Sequence, residues 1–105
     1  MQILINTVFL HNITFKMINF EEVTIKDVKL KTAELVKGMR KNRGISQLQL
    51  AEELELSRIT IQNLEAGRNT TLDTLLKVFQ YFDCLDKFHQ FIAAEIQNND
   101  TPSLY

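Results

Sequence analysis

The sequence predicts a mainly α protein, a five-helix bundle with a short β-like extension at its N-terminus. Apolar residues recur at helical spacing through residues 26–97. Polar capping residues and glycines stand at the joints between these runs, and the only proline, Pro102, lies behind all of them. Residues 1–25 have another character, dense in β-branched and aromatic side chains.

Within residues 1–25, Ile3, Leu4, Ile5, Val8 and Phe9, then Ile13, Phe15 and Ile18, suit the strands of a hairpin with His11-Asn12 as its turn. Such a ribbon is marginal alone and needs to pack on the helices or, as a dimerisation arm, on a second subunit. The first helix is expected over residues 26–43, with Leu35, Val36 and Met39 on one side and Lys37 and Lys41 away from it. Gly44 is placed to end it in a left-handed cap. Ser46 opens the second helix, Gln49 completes a capping box, and Ile45 with Leu50 forms a hydrophobic staple. That helix runs to Leu54, with Leu48, Leu50, Ala51 and Leu54 facing inward. Ser57 caps the third helix, Leu56 with Ile61 repeats the staple, and Gly67 ends it. The polar link Arg68-Asn69-Thr70-Thr71 leads into a fourth helix whose stripe is Leu72, Leu75, Leu76, Phe79 and Phe82. After a short turn, the fifth helix carries Leu85, Phe88, Ile92 and Ile96, with Phe91 beside the stripe as either core or dimer contact. Residues 98–105 read as a polar tail.

Composition bounds the function. The chain has 105 residues, 45% apolar and 24% charged, which suits one small globular domain rather than a disordered chain. Its net charge of −1 hides a basic middle: Lys37, Arg40, Lys41 and Arg43 stand together without an acid, while residues 69–105 are acidic. Taken alone, that basic run reads first as a solvated helix face. One cysteine, Cys84, excludes an internal disulfide, and His11 and His89 lie too far apart for metal-ligand spacing. The leading MQILINTVFL lacks a basic leader and a small-residue cleavage site and is too short for a membrane span. The expected location is the cytoplasm, with no cofactor. No nucleophile–base pair, glycine-rich phosphate loop or metal cluster points to an enzyme.

The stretch SQLQLAEELELSRITIQNLEAG, residues 46–67, carries the functional signal. Its two helices are joined by so short a turn that they must cross steeply, and the small Ala51 leaves room for close approach. This is the layout of a helix-turn-helix unit, which presents its second helix to the DNA major groove. Ser57, Ile61 and Leu64 share one side of the third helix, while Arg58, Ile59, Gln62 and Asn63 spread over roughly 140° of the other. Arg can fork onto guanine, Asn and Gln onto adenine, and Ile can meet a thymine methyl.

Residues 35–82 resemble the Cro/repressor-type (XRE-like) helix-turn-helix family, and the match spans five helices, roughly residues 28–96. The resemblance is carried by Arg40, Ser46-Gln47, Leu50-Ala51, Ser57, Ile61, Leu64-Glu65-Ala66-Gly67-Arg68 and Thr70-Thr71-Leu72. It implies a dimeric regulator on double-stranded DNA, with Arg58, Ile59, Gln62 and Asn63 facing bases and Arg40 and Gln47 holding phosphates. Ser57, at a helix N-terminus, joins the phosphate set. Lys41, Arg43, Arg68 and Asn69 complete it. Arg40 and Glu65 resemble the family's internal ion pair. Two departures stand out: Glu55 occupies the turn position where the family favours glycine, and Ile59 replaces a commonly polar residue.

Each assignment has a plainer alternative. Gln47 suits any first helical turn, Arg58 and Asn63 suit any surface, and an exposed Arg40–Glu65 pair would matter little. Three functions remain open. The first is a sequence-specific regulator, a repressor acting as a homodimer on a two-fold operator. The second is an antitoxin-type regulator that also grips a toxin-like protein, to which NTTLDTLLKVFQYF and the acidic C-terminal third are suited. The third is a helix-turn-helix scaffold kept for protein interaction alone.

Overall fold

The computed structural model describes residues 22–100. Five helices follow one another: α1 Ile25–Asn42, α2 Gln47–Glu53, α3 Arg58–Glu65, α4 Leu72–Tyr81 and α5 Leu85–Asp100. No strand occurs among the described residues, and the hairpin expected within residues 1–25 falls almost wholly outside them.

Local chemistry sets the boundaries. Thr24, Ser46, Ser57 and Thr71 each accept a hydrogen bond from the backbone N–H three residues on, satisfying a donor that the first turn leaves free. Asp27 and Gln49 return the bond to the backbone N–H of Thr24 and Ser46, closing two capping boxes. The Thr24 box moves the start of α1 one residue before the expected position. The other ends of α1 to α4 share one termination. Ile45, Leu56, Arg68 and Cys84 each donate backward to the carbonyl of the residue five before, at 2.8–3.4 Å, and the residue between them and the helix turns left-handed. Two of those turning residues are glycines, Gly44 and Gly67; the others are Glu55 and Asp83. The last helix continues to Asp100, three residues into the stretch read as tail.

The core gathers Val36 of α1, Leu50 and Ala51 of α2, Ile61 and Leu64 of α3, and Val78, Phe79 and Phe82 of the α4 region. Full burial of each aliphatic side chain contributes about 1.5–3 kcal/mol. Several inward expectations are corrected. Leu35, Leu48 and Leu72 are exposed, and so are Ile92 and Ile96. On α4 the buried stripe runs through Thr74, Val78 and Phe79 rather than Leu72 and Leu76. Thr74 tolerates burial because its hydroxyl meets that of Thr71 at 3.0 Å, so its polar atom is not stranded. Phe79 and Phe88 (centroids 5.7 Å apart) join α4 to α5.

Candidate nucleic-acid interface

Ala51, almost wholly buried at the α2–α3 contact, lets the two helices pack closely across the turn at residues 54–57. Ile61 and Leu64 hold α3 to the core by one side. On its other side Arg58 is exposed, Ile59 is 66% exposed, and Gln62 and Asn63 are half-buried.

Behind this face lies a buried polar knot. Arg40, 8% exposed, reaches Glu65 with a two-pronged fork, Nε to Oε2 at 2.7 Å and Nη2 to Oε1 at 2.9 Å. Its Nη1 donates to the Ile45 carbonyl at 2.8 Å, and Gln47 Nε2 donates to Glu65 Oε1 at 3.1 Å. The hydrogen bonds from Arg40 to Glu65 raise the guanidinium's already high pKa. No buried side-chain polar atom is left unpaired among the described residues. The knot ties the end of α1, the start of α2 and the end of α3 together, so it fixes the angle at which α3 is presented.

The residues expected at phosphates are placed unequally. Lys41 and Ser57 are exposed, and Ser57 Oγ accepts from the Thr60 N–H at 3.1 Å at the start of α3. Gln47 stands at the first turn of α2, lining a shallow hollow with Arg40, Ser46, Leu48 and Arg58. Arg40 is committed inside the knot. Arg43 turns away to the Tyr81 carbonyl and Asp83, both at 3.2 Å, and stacks its guanidinium over the rings of Tyr81 and Phe82. Asn69 accepts from Lys29, and Arg68 Nη1 donates to Asn63 Oδ1 at 3.1 Å. That last bond, which sequence spacing alone does not reveal, orients the amide of Asn63.

Cys84 is half-buried, and burial pushes its thiol pKa up, away from nucleophilic character. Among the described residues no cluster of His, Cys, Asp and Glu could hold a metal ion, and no helix is long and apolar enough to cross a membrane.

No curated protein and no solved structure matches the chain. A family model described as helix-turn-helix matches residues 36–85, from the middle of α1 to the first residue of α5, and so takes in the whole α2–α3 pair with its supporting core. This part of the chain is a DNA-binding helix-turn-helix domain of the Cro/repressor (XRE-like) type, the fold of transcriptional regulators.

Proposed function

We propose that the protein is a sequence-specific repressor that binds a two-fold DNA site as a homodimer. The observation that carries this reading is the outer face of α3, where Arg58, Ile59, Gln62 and Asn63 share one side that the core does not use. Arg58 and Asn63 supply hydrogen bonds to base edges, Ile59 meets a thymine methyl, and Gln62 lies between them. Lys41, Gln47, Ser57 and Arg68 hold the phosphates, with Gln47 and Arg68 also steadying the knot and Asn63. Arg40 and Arg43 act structurally instead, because their guanidinium groups are already engaged within the protein. Asn69 belongs to the same structural set.

One α3 reads too few base pairs to choose a genomic site, so two copies are required, with their α3 helices about 34 Å apart. The dimer uses the Phe88-Phe91-Ile92 edge of α5. Phe91 is 60% exposed, its ring stacks on that of Phe88 at 6.4 Å between centroids, and α5 has no buried residue. A toxin-like partner is the second reading, favoured by the acidic balance of residues 69–105. Selection of binding sites from random double-stranded DNA tests the function. Enrichment of a palindrome with half-sites one helical turn apart is expected; a pool without any enriched sequence would leave the repressor reading untenable.

A further inference from the structure

A groove of about 350 Å³ opens between the entry to α1 and the α3–α4 connection, away from the α3 residues assigned to bases. Its lining includes Val23, Ile25 and Val28 from the entry and first turn of α1, Leu64 of α3, Leu75 of α4, and Arg68. Leu64 is buried, whereas Val23 and Ile25 are 72% and 77% exposed, without cover from the described residues. The positions of Val23 and Val28 explain why the lip is built this way. They stand before the Thr24 cap and four residues after it, the spacing of a hydrophobic staple, and the Thr24–Asp27 capping box fixes the direction in which the chain enters α1. Residues 1–21 therefore join the domain at the lip of the groove.

We propose that residues 1–21 of the same chain fold back into this groove, with Phe9 or Phe15 as the inserted side chain. The composition suits an apolar cleft, since the segment's only charged side chains are Lys16 and Glu21. Reach is ample: twenty residues of extended chain span up to about 70 Å. Tethering at the lip gives an effective concentration on the order of millimolar, which favours the chain's own segment over a second copy at micromolar protein. Filling the groove packs against Leu64 in the last turn of α3 and against Arg68, whose Nη1 holds Asn63 Oδ1. The N-terminal segment thus braces the end of α3 from behind. That last consequence rests on reading α3 as the base-contacting helix, whereas the docking itself does not.

The test is methyl and aromatic NMR on the full chain. Cross-peaks are expected between the Phe9 or Phe15 rings and the Val28 and Leu75 methyls. They should persist when labelled chains are diluted into an excess of unlabelled chains, and be absent from a mixed-label sample that reports only contacts between chains. The double variant Phe9→Ser/Phe15→Ser should lose them and shift the Val28, Leu64 and Leu75 methyls, leaving Val36 in place. Groove methyls with no contact to residues 1–15 and no shift in the variant would overturn the proposal. Contacts seen only between chains would overturn it too, by making a second copy the occupant. Asn63→Ala, which tests DNA reading, should leave every cross-peak intact, so the two readings fail separately.

Discussion

Arg40 and Glu65 show how a residue pair can matter without touching DNA. Their fork is shielded from water, so removing one partner leaves a buried charge unpaired, a loss of about 3–5 kcal/mol. Glu65→Ala should therefore lower the free energy of unfolding by an amount of that order, read as a fall in the urea midpoint at unchanged m-value, whereas Lys31→Ala, in an exposed pair with Glu34, should change that free energy by less than about 1 kcal/mol. Equal effects would remove the knot from the account. The pair was legible in the sequence through its family resemblance. The inward placement of Leu48 and Leu72 was read wrongly, because both lie in a first helical turn, where a wheel drawn from spacing alone leaves the facing direction open. Val78 escaped notice for the converse reason: its neighbours on the buried stripe include Thr74, a polar residue that only the Thr71 cap makes acceptable inside.

At the scale of the elements, four repeated helix endings test the cost of left-handed backbone. Glu55 has φ 55° and Asp83 φ 59°, and of the two the acid with the longer side chain has the less favourable local bonding in that region. Glu55→Gly should stabilise the domain by up to about 1 kcal/mol, part of the gain being offset by the freer unfolded chain. Gly67→Ala should do the reverse by more than about 1 kcal/mol. At φ +73° its added Cβ would also meet Leu30 Cδ2 at 2.8 Å. Thermal or urea unfolding reads both, and an unchanged Gly67→Ala midpoint would contradict the argument. These joints were largely legible beforehand, since Ser46, Ser57, Gly44 and Gly67 carry their own chemistry. The Thr24–Asp27 box was missed because it falls at the border of a stretch dominated by strand-forming residues. The run of α5 to Asp100 was missed because polar composition was read as a stop, although no helix breaker precedes Pro102.

For the whole molecule, the proposed function turns on the outer surfaces of α3 and α5, and spacing alone did not reveal which charges of the basic run are free. Arg43 illustrates the difficulty: its place in the basic run suggested phosphate, but two aromatic rings and Asp83 draw it to the α4–α5 turn. Lys41→Ala should accordingly flatten the dependence of log affinity on log salt by about one unit. Arg43→Ala should leave that slope unchanged while lowering stability. In sedimentation at micromolar concentration, the parent chain should run as a dimer and Phe91→Lys as a monomer of unchanged helicity; a variant that stays dimeric would move the proposed interface off α5. The central claim is that α3 reads bases, and the affinities of the parent chain and Asn63→Ala for the selected site and for random DNA test it most directly. A loss of about 1–3 kcal/mol is expected on the selected site and much less on random DNA. Equal losses on both, or none on either, would contradict it.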